Sequence, residues 1–247
     1  MIKLLAVLAT LGIGVASMAP ALDCSEITQG NNIYAVCEVD ASIADIRVFL
    51  NDADNVPLAQ FDTVKDQLAD ENQSLLFGMN GGMYHDDRSP VGLFIENGVE
   101  RMRLIRGASP GNFGLVPNGV FCIQENRADV IETETYAADP PACDFATQSG
   151  PMLVIGGELH PRFLADSTSR FIRNGVGTSA DGTRVVFVIS RIPVTFHEFG
   201  RLFRDDLNLP NALFLDGNIS RIYAPPLNRD DRGFRMGPII GVVEPAD

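Results

Sequence analysis

Apolar residues recur along this chain in short runs of strand length and almost nowhere at helical spacing. The runs are Ile33–Cys37, Ile46–Leu50, Leu75–Met79, Gly92–Ile95, Gly119–Ile123, Met152–Ile155, Val185–Ile189, Ala212–Leu215 and Ile239–Val243. Turn-forming residues separate them: Asn97-Gly98, Pro117-Asn118-Gly119, Gly156-Gly157, Asp181-Gly182 and Asp216-Gly217. Asn97-Gly98 between two such runs predicts a tight hairpin, because both residues tolerate the left-handed backbone that its turn requires. Only two helices are expected. Thr63 can cap Val64–Ala69, and Thr195-Phe196-His197-Glu198 is a capping box. Behind that box Phe196, Phe199, Leu202, Phe203 and Leu207 keep helical spacing as far as Pro210. The class predicted is α+β, a sheet-dominated, mixed α/β single domain with few helices over residues 22–247.

Residues 1–21 read as an export signal. Lys3 is followed by an uncharged run from Leu4 to Ala16, then by Ala19-Pro20-Ala21. A short positive segment, an apolar stretch too short to span a bilayer and an Ala-x-Ala site are the parts of a secretory signal peptide. The expected location is therefore periplasmic or secreted, with no stable membrane span after cleavage. All four cysteines (Cys24, Cys37, Cys122, Cys143) lie beyond that segment. An even count in an oxidising compartment predicts two disulfides, and the local pairing Cys24–Cys37 with Cys122–Cys143 closes the shortest loops. With 32 acidic against 19 basic side chains and a net charge of −13, nucleic acid is not an expected partner. After Lys3 only Lys65 remains among the lysines, so positive charge rests on arginine.

Four polar, glycine-rich stretches could carry chemistry. In Phe77-Gly78-Met79-Asn80-Gly81-Gly82-Met83-Tyr84-His85-Asp86-Asp87 a strand runs into a tight turn. Adjacent glycines let backbone amides approach a ligand, although an Asn-Gly turn alone accounts for the pattern. His85, Asp86 and Asp87 are adjacent and cannot all point into one metal site, so no metal and no cofactor is assigned. Thr147-Gln148-Ser149-Gly150-Pro151 lacks the two flanking glycines of a nucleophile elbow and reads equally as a polar loop. Ser169-Arg170-Phe171-Ile172-Arg173-Asn174-Gly175-Val176-Gly177 offers Arg173 for planar phosphate recognition or for a surface ion pair. Asp216 ends an apolar strand, where partial desolvation can tune a carboxylate as base or nucleophile; Asp216-Gly217 also fits a hairpin turn. Glu198, the reserve carboxylate, is already accounted for by its capping box.

Taken in order, these stretches resemble the phosphodiester glycosidase family. Its Asn-Gly-Gly-aromatic turn corresponds to Asn80-Gly81-Gly82-Met83-Tyr84, and its Ser-Gly-Pro segment to Ser149-Gly150-Pro151. Its Arg-x-x-x-Gly element corresponds to Arg173–Gly177, and its late Leu-Asp-Gly-Gly-x-Ser signature to Leu215-Asp216-Gly217. Asn218 stands where that signature has its second glycine, and Met83 directly follows the Gly-Gly pair. The resemblance implies an exported hydrolase that cleaves the bond between a sugar's anomeric carbon and a phosphodiester oxygen, with a sugar-phosphate or glycan substrate. It implies Asp216, Arg173 and Glu198 as catalytic candidates, with Arg173 taking the phosphate. Asn80, Gly81, Gly82, Ser149, Gly150, Asn174 and Gly217 are the implied substrate-binding set. Two readings from other classes stand beside it: a non-catalytic saccharide- or exopolysaccharide-binding envelope protein, and a metal-dependent phosphodiesterase built on His85, Asp86 and Asp87.

Overall fold

The computed structural model describes residues 21–216 and 219–246, and within them the strands form three antiparallel sheets. The largest has seven strands, in the order Leu22–Gln29, Asn32–Asp40, Arg184–Ser190, Asn174–Thr178, Asn211–Asp216, Met152–Ile155, Glu158–Leu159. A five-stranded sheet runs Arg229–Asp230, Ile222–Ala224, Gln73–Asn80, Ile239–Pro245, Asp45–Phe49, and a second one Val99–Met102, Phe94–Glu96, Phe145–Ser149, Gly119–Gln124, Arg127–Glu132. Every apolar run predicted above falls in or overlaps a strand. The hairpin at Asn97-Gly98 forms as expected, with both residues at positive φ.

The main core cluster draws on all three sheets, with Phe77, Phe121, Phe187, Val176 and Leu213 among its fully buried members. Phe187 of the seven-stranded sheet joins them: its ring lies 4.8 Å from that of Phe77 and 5.9 Å, edge-on, from that of Phe121. Each such pair adds about 0.5–1.5 kcal/mol beyond burial of the rings. Removing the Phe187 ring would therefore loosen three layers at once.

Helix Phe61–Asp70 buries Phe61, Val64 and Leu68 on the outside of the sheet containing Gln73–Asn80. It starts earlier than the Thr63 cap predicted, because Phe61 must enter the first turn to reach that sheet. Thr63 instead donates its hydroxyl to the carbonyls of Leu58 (2.5 Å) and Gln60 (2.8 Å). The capping box at Thr195 and Glu198 forms and starts helix Phe196–Arg201, which widens into a π-helical turn at Leu202–Asp206. Phe199, Leu202 and Phe203 pack on Tyr34, Val188 and Phe214 of the seven-stranded sheet. A third helix, Thr133–Ala138, has no apolar periodicity to announce it; the Glu132 side chain caps it by accepting from the Thr135 amide at 2.9 Å.

Both predicted disulfides are present, Cys24–Cys37 across the first hairpin and Cys122–Cys143 beside the start of strand Phe145–Ser149. Among the described residues no helix is long and apolar enough to cross a membrane. The export signal, Ala21 apart, lies outside the described residues.

Candidate active site

Four strand ends converge on one place, two from the seven-stranded sheet and one from each of the others. Asn80 ends Gln73–Asn80, Ser149 ends Phe145–Ser149, Asn174 opens Asn174–Thr178 and Asp216 ends Asn211–Asp216. Asn174 pairs with Asp216 but Gly175 pairs with Phe214, so Leu215 is the extra residue of a β-bulge. A bulge breaks the alternation of side chains and re-aims the residue beside it. Gly175 is required opposite it, since a Cβ there would lie 2.7 Å from the Leu213 carbonyl oxygen.

Buried side chains clamp this bulge. The Ser149 hydroxyl donates to the Leu215 carbonyl at 2.7 Å, and the Asp216 amide donates to Asn174 Oδ1 at 3.1 Å. Asn174 Nδ2 donates to the Asn80 carbonyl at 3.1 Å, and Asn80 Nδ2 to Asn174 Oδ1 at 3.3 Å. Asn80 Oδ1 accepts from the Arg221 amide at 2.9 Å, and the Ser220 hydroxyl donates to the Asp216 carbonyl at 3.0 Å. Asn80, Ser149 and Asn174 are fully buried. Buried amides and hydroxyls satisfied in this way fix one backbone geometry, and loss of a partner costs about 1–3 kcal/mol.

The residue so fixed lines a cavity of about 510 Å³, a volume suited to a sugar phosphate. Asp216 shares its wall with Met83, Tyr84, Asp86, Val91, Gly111, Asn112 and Ile219. Burial, and next the negative charge of Asp216, raise the Tyr84 phenol above its ordinary value. Its hydroxyl donates to the Arg235 carbonyl at 3.2 Å. Two carboxylates, a phenol and an amide thus face one polar space.

The structure places the sequence candidates in three groups. Asp216 reaches the cavity, and it is no hairpin turn: the next described strand, Ile222–Ala224, leaves the sheet to pair with Gln73–Asn80. Asn80, Ser149 and Asn174 lie behind the wall as the clamp, with Gly150 buried alongside Asn118. Gly81 spends its amide on the Pro238 carbonyl at 2.7 Å. Gly82 packs so closely that a Cβ would sit 2.8 Å from Thr147 Oγ1. Gly217 lies outside the described residues.

Arg173 and Glu198 sit elsewhere. The Arg173 side chain turns among Phe171, Phe196 and Phe214, its guanidinium carbon 3.6 Å from the centre of the Phe196 ring. Its Nε donates to the Val194 carbonyl at 2.9 Å, while Nη1 is buried with no hydrogen-bond partner among the described residues. Burial draws this guanidinium down to about 10. It is therefore no surface ion pair, and it is not part of the wall around Asp216. The Glu198 carboxylate accepts from Arg170 at 2.7 and 3.0 Å and from the Thr195 amide at 2.9 Å, beside a separate cavity. Burial raises it, but these hydrogen bonds together hold it below its ordinary value.

Tyr84 drew attention in sequence only as part of the Asn-Gly-Gly motif and Asp86 only as a metal ligand, and Asn112 carried no signal beyond its neighbouring glycine. Asp87 is spent on its own turn, accepting from the Ser89 amide at 2.9 Å and hydroxyl at 2.6 Å. Among the described residues no three His, Cys, Asp or Glu side chains are placed to share a metal ion.

Three sheets that bring an acid to a polar cavity at their strand ends define a β-rich protein with an enzyme-like cleft. Residues 73–240 match the phosphodiester glycosidase family, and the chain belongs to that family. It is 36% identical over 158 residues to the uncharacterized protein YigE of Escherichia coli (strain K12), a stretch covering 63% of this chain and 61% of that relative. This chain thus spans less than two thirds of that relative's length. Its structure is similar to the catalytic domain of zebrafish N-acetylglucosamine-1-phosphodiester α-N-acetylglucosaminidase, auto-inhibited by its pro-peptide. There the TM-score is 0.61 at 14% identity, covering 92% of this chain and 85% of that one. A putative exported protein of Burkholderia pseudomallei follows with a TM-score of 0.57 at 12% identity, covering 85% and 74%. At these identities the structural likeness is one of fold.

Proposed function

We propose that this protein is an exported hydrolase of sugar-1-phosphodiesters, acting on an envelope or extracellular glycan through a single domain over residues 22–247. The observation that carries the reading is the clamped bulge, which commits buried bonds from three sheets to presenting Asp216 at a cavity of sugar-phosphate size. In the reaction a water oxygen bonds to the anomeric carbon as the bond from that carbon to the ester oxygen breaks. The bonding electron pair leaves on the phosphate monoester, and the water proton passes to a carboxylate. A phosphate monoester departs readily, so the demand falls on a carboxylate at the anomeric carbon and on charge stabilisation at the phosphate. Asp216 takes the first role, as the base in this direct attack or as a nucleophile whose glycosyl ester water then cleaves at the anomeric carbon, with Asp86 the second acid of the cavity. The two disulfides and the sequence of residues 1–21 support work outside the cytoplasm.

The test is release of free sugar and phosphate monoester from a sugar-1-phosphodiester. Asp216→Asn should lower kcat by roughly a thousandfold or more while the fold is kept. Wild-type turnover in that variant would overturn the assignment. Glycan binding with no product from the wild-type protein would favour the non-catalytic envelope reading.

A further inference from the structure

The cavity wall holds Asp86 and Asp216 and, among the described residues, no basic side chain. A phosphodiester brought there needs a cation, and the nearby guanidinium groups are accounted for in turn. Arg221 spends its donors on Gln60 Oε1 and on the carbonyls of Asp231 and Phe234. Arg235, whose carbonyl takes the Tyr84 hydroxyl, donates Nη2 to the Pro57 carbonyl at 3.0 Å. Arg173 is enclosed by phenylalanines.

Arg88 is different. It sits in the loop between Tyr84 and Pro90, whose ends pair across a β-bridge. Inside the loop the His85 amide donates to the Ser89 carbonyl at 2.9 Å and the Arg88 amide to the His85 carbonyl at 2.8 Å. The Arg88 guanidinium carbon lies 5.2 Å from the centre of the Tyr84 ring, which is part of the cavity wall. Among the described residues its side chain makes no hydrogen bond and no ion pair. Its backbone has φ +76°, a left-handed conformation that glycine adopts freely and arginine does not. A residue serving only to close the turn would be glycine or asparagine; arginine there keeps a guanidinium against the ring of Tyr84, a wall residue, despite the strain.

We propose that Arg88 is the phosphate-binding and specificity-determining side chain of this site, held over Tyr84 in the free protein and swinging to grip the phosphoryl oxygens of the bound ester. Its planar fork matches two of those oxygens at once, which a lysine cannot do. This inference rests on the hydrolase reading, and its test keeps the two apart.

Inorganic phosphate is titrated calorimetrically into wild type, Arg88→Gly and Arg88→Lys, with thermal melting and phosphodiester kinetics alongside. Arg88→Gly should weaken phosphate binding at least tenfold and raise KM by a similar factor, with kcat changed far less and Tm unchanged or higher. Arg88→Lys should recover part of the binding. Phosphate binding equal to wild type in Arg88→Gly, or a kcat loss with KM unmoved, would overturn the proposal. Arg88-dependent phosphate binding in a protein that releases no sugar would uphold Arg88 and overturn hydrolysis instead.

Discussion

Around Asp216, Asn174 accepts from the main-chain amide, Ser149 and Ser220 donate to main-chain carbonyls, and the residue lines a cavity. Around Glu198 the hydrogen bonds go to the carboxylate itself, from Arg170 and from the amide it caps. Asp216 ends an apolar strand, Glu198 sits in the first turn of an apolar helix, and sequence alone ranks Glu198 as the reserve of the two. The difference teaches that an acid can be brought to a cavity by groups that hold its backbone. One whose own oxygens hold a helix start is already committed to structure.

Breaking the clamp should have the largest effect. Asn174→Ala removes the acceptor of the Asp216 amide and the donor to the Asn80 carbonyl, and should lower stability by about 3–4 kcal/mol in denaturant titration, with kcat down roughly a hundredfold. Ser149→Ala strands only the Leu215 carbonyl. A loss of about 2 kcal/mol and a roughly tenfold fall in kcat are expected. Unchanged kcat in both would detach the bulge from catalysis. Arg173→Met leaves the Ser169 carbonyl without its donor and the Val194 carbonyl with the Phe171 amide alone, but also removes a buried charge, for a net loss of about 1 kcal/mol. KM for a phosphodiester should not move; a tenfold rise would return Arg173 to the phosphate.

Glu198→Gln should do least to turnover, and its signature is in pH. Because hydrogen bonds lower the folded-state pKa of Glu198, its ionised form contributes stability above the unfolded value near 4.5 and loses it as pH falls through the lowered folded value. The stability gap between wild type and Glu198→Gln should thus shrink as melts are taken below about pH 4.5. A gap independent of pH would show that the charge is not what caps the helix.

Strands with a run of apolar side chains were legible because burial on both faces leaves that pattern directly. Phe145–Ser149 was hidden by Thr147, Gln148 and Ser149, which read as loop. In the fold Gln148 is buried and fully used, accepting from the Leu93 and Ile105 amides at 3.0 and 2.9 Å and donating to the Ile105 carbonyl at 2.7 Å. Asn174–Thr178 was hidden by its glycines, which make room for the Leu213 carbonyl and for Phe203. Polar side chains can sit in a buried strand when the chain supplies every partner, and those partners lie far away in sequence. The same distance explains the site. Motif order picked out Asn80, Ser149, Arg173 and Asp216, but only tertiary structure separates wall from clamp and turns Arg173 away. Arg88 was hard to see for the opposite reason, since a short charged loop looks like ordinary surface until the cavity beside it is known, and Asp86 in the same loop stood out only as a metal ligand.

The convergence of three sheets on one bulge makes the Asp216 amide proton a natural gauge of assembly. Its acceptor, Asn174, is tied to the second sheet through Asn80, and the preceding carbonyl is tied to the third through Ser149. Deuterium uptake at that amide should therefore follow the least stable of these junctions, so that undocking of any one layer would empty the cleft of its shape before the protein as a whole came apart.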